Sequence, residues 1–203
     1  MRRRTRTDAG QAFPIYVVMV VGLLFLAFVF FAVGKAAALR NGAQGAADAA
    51  ALAAGQQARE NFEAPFLASL PGKMLDPFLQ AHPVQGCTTA AQGLADSNRA
   101  RVTDCYSIPG GLRDRIRVEV KGHDPVDSPV VPDTKKIFAE TKATVVIEFR
   151  CPDWESVDFN DDGVQDMYFF TCRGGEMLEI EPSNPPPWSK VSKILYDVHL
   201  VDK

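Results

Sequence analysis

Charge is what the first part of this chain lacks. None of the 26 residues from Ala9 to Gly34 carries one, and proline is missing from Ile15 to Ala64. Histidine is scarce, with His82, His123 and His199 far apart and no nucleophile beside any of them in sequence. The four cysteines, Cys87, Cys105, Cys151 and Cys172, form no C-x-x-C pair, which argues against zinc-ribbon or thioredoxin-like chemistry. The lack of a convergent catalytic set sets an exported enzyme behind a structural or binding protein.

The uncharged stretch is filled with large apolar side chains. Val17, Val18, Val20, Val21, Leu23, Leu24, Phe25, Leu26, Phe28, Val29, Phe30 and Phe31 cover every face of a helix, which excludes a one-sided surface helix of a soluble domain. At about 1.5 Å per residue it is long enough to cross a hydrocarbon core of about 30 Å with some tilt. Arg2, Arg3, Arg4 and Arg6 precede it, so the positive-inside bias expects a cytoplasmic N-terminus and an extracytoplasmic remainder. A cleaved secretory signal is the competing expectation, with Ala36, Ala37 and Ala38 as a small-residue cleavage site. The apolar core exceeds the roughly 7–15 residues usual for such signals, which favours a retained anchor.

The whole chain has 203 residues and a net charge of −3. Four of its 22 basic and one of its 25 acidic residues precede Lys35, leaving 18 basic against 24 acidic from Lys35 onward. That acidic balance argues against a nucleic-acid partner. The expected organisation is a basic tail (1–11), a membrane helix (12–34), an alanine-rich helical stalk (35–60) and an outer α+β domain (61–203). In an oxidising exterior the cysteines are expected to form two disulfides. Three connectivities are open. The sequential one, Cys87–Cys105 and Cys151–Cys172, closes two loops of about twenty residues, each worth roughly 3 kcal/mol on the chain-entropy model.

Past the membrane the sequence runs KAAALRNGAQGAADAAALAAGQQAREN. Alanine is the best helix former, so a single helix of about 45 residues is expected. Ala43, Ala47, Ala50, Ala51 and Ala54 recur every three or four positions and make one smooth face. Such a face suits close helix packing. Three destinations are open for it: a partner's helix, the chain's own outer domain, or solvent around a bare stalk. Asp48, inside this run, is either a solvated charge or an ion-pair partner for a neighbouring copy's Lys35 or Arg40.

Residues 61–86 hold apolar side chains interrupted by Pro65, Pro71, Pro77 and Pro83, so short helical turns are expected. A helix is expected over Thr88–Asn98. Strands are expected at Val102–Tyr106, at Arg115–Lys121 with its strict alternation, at Phe138–Phe149, and at Met167–Thr171 and Glu176–Ile180 flanking Arg173-Gly174-Gly175. A short helix at Lys190–Ile194 and a strand at Tyr196–Val201 close the chain. The fold class is α+β, a long N-terminal transmembrane helix continuing into the alanine-rich stalk and followed by a small antiparallel sheet.

Gly10-Gln-Ala-Phe-Pro-Ile-Tyr16, then the membrane helix, then Gln44-Gly-Ala-Ala-Asp-Ala-Ala-Ala-Leu-Ala-Ala54 resembles the N-terminal module of TadE/TadG-like proteins of the Flp (tight adherence) pilus system. The resemblance is carried by residues 9–58. The later region is similar to short TadG-related proteins of high-GC Gram-positive bacteria. The resemblance implies a single-pass protein of pilin- or pseudopilin-like architecture with an extracytoplasmic domain, structural in role, partnered by other pilus-assembly proteins or pseudopilins through its N-terminal helix. It also implies a processing site after Gly10, before Gln11. Prepilins of this type carry Glu and Tyr at the fifth and sixth mature positions. Tyr16 fits, whereas Ile15 stands in place of the Glu. The D-x-S-x-S metal site of larger relatives is missing.

One segment has the ligand spacing of a calcium loop. Asp158, Asn160 and Asp162 occupy positions one, three and five, Gly163 position six, the Val164 carbonyl position seven and Asp166 position nine. Phe169 replaces the bidentate Glu of a complete EF-hand. A solvated acidic turn explains the same residues. The metal option would make the chain a membrane-tethered, calcium-binding adhesion module. Trp154 and Trp188 are expected to pack near the sheet, or else to form a ligand platform.

Overall fold

A computed structural model of the chain describes residues 12–81, 89–127 and 133–201. One helix, α1, runs without a break from Ala12 to Asn61. Pro14 lies in its first turn, where a missing N–H leaves no bond unmade. Short helices α2 (Glu63–Ser69) and α3 (Leu75–Ala81) turn the chain back, and α4 (Thr89–Ser97) lies along α1.

Among the described residues, seven strands follow these four helices: β1 Ala100–Ile108, β2 Arg113–Pro125, β3 Phe138–Phe149, β4 Asp153–Val157, β5 Met167–Thr171, β6 Met177–Ile180 and β7 Tyr196–Val201. Helix α5 (Trp188–Leu195) precedes the last of them. All pairings are antiparallel, and the strands form two sheets rather than one, in the orders β1-β2-β3-β7 and β4-β5-β6. The fold class is α+β with the long apolar helix leading.

The alternation in β2 decides which way the larger sheet faces. Ile116, Val118 and Val120 are buried, and in register with them on β3 stand Val145, Ala143 and Thr141. The alanine half of α1 lies across this face. Ala46, Ala47, Ala50, Ala51 and Ala54 are fully covered, in one cluster with Ile116, Val118, Val145 and Ile147. Alanine is the side chain that lets the two backbones come this close. At Gly55 even a methyl does not fit: a Cβ there would lie 2.8 Å from Val145 Cγ2 and from Val198 Cγ1.

An aromatic cluster joins the two sheets. Phe66 of α2 lies with its ring centroid 6.1 Å from Phe170 of the smaller sheet and 5.5 Å from Trp188 of α5. Phe149, at the end of β3, meets Tyr196 at 5.4 Å and Trp154 at 6.1 Å. The Tyr168 hydroxyl donates to the Leu70 carbonyl at 2.7 Å. Glu148 receives Arg113 at 3.4 Å and also binds Arg173, which fastens the β5–β6 turn to β3. Cys151 and Cys172 are joined by a disulfide between the exit of β3 and the end of β5.

Candidate functional site

Two halves of α1 have opposite surroundings, and the functional question turns on that contrast. From Phe13 to Val33 most of the large apolar residues are exposed, Phe30 by 75% and Val18 by 71%. The helix is long and apolar enough to cross a membrane, and no part of its most apolar window is buried by the rest of the chain. Exposed apolar surface on that scale is far beyond what a soluble monomer leaves open. From Ala43 onward the helix is instead a core element of the folded domain.

The candidate packing residues divide accordingly. Ala47, Ala50, Ala51 and Ala54 are buried in one cluster with the chain's own sheet and α4, and Ala43 is buried as well. Of the three destinations open to this face, the structure realises the intramolecular one. The face is therefore filled, and a partner's helix cannot lie on it while the domain is folded. Asp48 is half-buried and receives the Gln44 amide at 2.7 Å, and Gln44 in turn accepts from the Thr141 hydroxyl at 2.5 Å. The residue that the alanine run isolates thus ends a polar chain from helix to sheet. Lys35 gives its ammonium to the Asp127 carbonyl at 3.0 Å. Neither contact leads outside the molecule.

The acidic loop folds on itself. Asp158 Oδ2 accepts the Gly163 amide at 2.8 Å, and Oδ1 accepts those of Asn160 and Asp162, each at 3.3 Å. Asp162 Oδ1 accepts from Val164 N, and Asp166 Oδ2 from Phe159 N, both at 2.8 Å. Gly163 sits at φ 86°, a conformation glycine adopts without strain. Partial desolvation opposes the charge on Asp158, but the amides of Gly163, Asn160, Asp162 and Asp161 outweigh it and hold its carboxyl below the ordinary value. Among the described residues, no three Asp, Glu, His or Cys side chains converge as a metal-holding group. The arrangement is that of a turn capped by its own backbone.

Cys105 is disulfide-bonded, and its expected partner Cys87 lies outside the described residues. Gly10, Gln11 and His82 lie outside them as well. His199 faces Asp197 at 3.0 Å on the surface, and His123 donates its backbone N–H to the Arg99 carbonyl. Trp188 is buried in the aromatic cluster, and Trp154 packs beside it. An open groove lined by Asp76, Pro152, Asp153, Trp154, Glu155, Phe169 and Thr171 is acidic and has no imidazole in its lining.

The helix is also where the chain resembles something known. The TadE/G-like Flp pilus-assembly family model matches residues 10–57, most of α1 and none of the strands. No curated protein and no solved structure matches the chain. The similarity thus falls on the described element that combines a long exposed apolar segment with a part of the domain core.

Proposed function

We propose that the protein is a membrane-anchored structural component of a Tad/Flp-type pilus or related secretion machine. Residues 12–34 cross the membrane with the basic tail in the cytoplasm, and the disulfide-stabilised domain stands outside it. The observation that carries this function is the continuity of α1. One helix holds the bare apolar segment and, without a hinge, the alanine face that nucleates the outer domain. A displacement of the anchor is therefore transmitted to the domain as rigid-body motion.

Because the alanine face is filled from within, contact with the rest of the machine falls to the apolar half of the helix and to the outer surface of the domain. Cross-linking in cells tests this division. A photoreactive residue at Phe25 or Phe28 is expected to form adducts with other membrane proteins, whereas Ala50→Cys, small enough for the covered site, is expected to form no thiol cross-links to other proteins. Thiol cross-links to other proteins from Ala50→Cys, with no adducts from Phe25 or Phe28, would overturn it.

A further inference from the structure

The folded domain has a base at the level where the apolar segment ends. Two independent contacts place it there. Lys35, the first charge after the uncharged stretch, reaches Asp127 at 3.0 Å. Higher up, Thr141 of β3 meets Gln44, and Val145 lies against Gly55, so β3 and α1 climb in the same direction. Three strand residues below Thr141 span about 10 Å, the rise of about seven helix residues. That brings Phe138 to the height of Ala37, one turn from Lys35. The described parts of the connection between β2 and β3 close at this height, Val126 N–H donating to Ile137 O at 2.8 Å and Asp127 N–H to Thr134 O at 3.4 Å.

The charged side chains described at this base are mostly basic. Lys135 and Lys136, on a single 3-10 turn, are exposed, as is Arg40 on the helix. Ile137 beside them is 52% exposed. The acids nearby are largely answered: Arg99 holds Asp124 at 2.9 Å and Lys121 holds Glu140 at 2.7 Å. Asp127 and Asp133 remain against Lys35, Arg40, Lys135 and Lys136. The chain beyond Lys35 is acidic as a whole, so a net basic base is a local departure from it.

We propose that this base docks on the outer face of the membrane, with Lys135, Lys136 and Arg40 on the phosphates of anionic lipids and Ile137 entering the headgroup layer. The proposal rests on the anchoring of residues 12–34 and adds to it a second contact. An anchor alone fixes the height of the domain. A basic base about a second point also fixes its tilt, which determines how the outer surface is presented to neighbouring subunits. A lysine at an anionic surface strengthens attachment about five-fold, and salt screens it.

The test uses the full chain in nanodiscs of phosphatidylcholine, with or without one third phosphatidylglycerol. Amide hydrogen exchange is read over residues 134–138. The expected result is exchange at least five-fold slower in the anionic discs, a difference abolished by about 0.5 M salt. Lys135→Glu with Lys136→Glu should lose the difference, and Lys135→Arg with Lys136→Arg should keep it. Equal exchange in both discs, or a difference that survives the Glu substitutions, overturns the docking. Alkaline carbonate separates the two levels: a chain that stays in the membrane with equal exchange rates refutes only the docking, while a chain that washes off refutes anchoring and docking together.

Discussion

Gly55 is the residue on which the helix–sheet contact is most sharply tuned. A methyl there meets two valine methyls on neighbouring strands at 2.8 Å. Those side chains are β-branched and have little freedom to withdraw. Gly55→Ala should therefore destabilise the domain by about 1–3 kcal/mol, despite the better helix propensity of alanine. Gly45→Ala lies on the same helix with open space around it and should stabilise by up to about 1 kcal/mol. Thermal melts of the two variants check the pair, and a loss of stability at both would contradict this packing. Burial, with a smaller contribution from the Asp114 charge, pushes the Tyr196 hydroxyl far above its ordinary value. The folded state thus favours the protonated phenol. Its contribution to stability is complete below the ordinary tyrosine value of about 10 and is lost as pH rises above it. Ionisation of Tyr196, followed by ultraviolet absorbance, should appear only together with alkaline unfolding. Asp158 has the opposite sign. Its contribution is present above the ordinary carboxyl value and lost as pH falls through the lowered one. The Gly163 amide resonance should therefore titrate with a midpoint below about 3.9.

At the scale of elements, the Cys151–Cys172 bond ties the smaller sheet to the end of β3. Replacing both cysteines by serine should cost about 3 kcal/mol, with exchange rising first in β4–β6 and the contact of α1 with the larger sheet persisting. Uniform loosening of both sheets in a hydrogen-exchange experiment would contradict that order. The elements differ in how openly their residues announce them. Strand β3 is plain from Thr144, Val145, Val146 and Ile147, and β2 from strict alternation, because burial on one face imposes a period of two. Strand β4 is not. Asp-Trp-Glu-Ser-Val has two acids in five residues, and it is strand through its pairing with β5 beside the disulfide. The division into two sheets is equally hidden, since local periodicity describes a strand's own faces and not its neighbours. The alanine face of α1 was visible as a face, but alanine says only that something comes close. That the covering surface is the chain's own sheet follows from contacts such as that of Gly55 with Val145, about ninety positions away in sequence.

For the molecule as a whole, the proposed anchoring makes anchor and domain core one element in two solvents. Among the described residues, none buries the most apolar window of α1, and the alanine half has no face to spare where the larger sheet covers it. Large side chains at the buried positions should accordingly act on folding before they act on assembly. Ala47→Leu and Ala51→Leu, both at fully covered sites, are expected to lower the melting temperature of the isolated chain in detergent. Unaltered melting would contradict the packing. The central claim is that Ala43 to Ala58 belong to the domain and Phe13 to Gly34 to the membrane. Hydrogen exchange along α1 of the full chain in nanodiscs tests it most directly. Both halves should be protected in the native protein, and unfolding the domain with denaturant should release residues 43–58 while 13–34 stay protected. Rapid exchange of residues 43–58 in the native protein, as in a solvated stalk, would contradict the account.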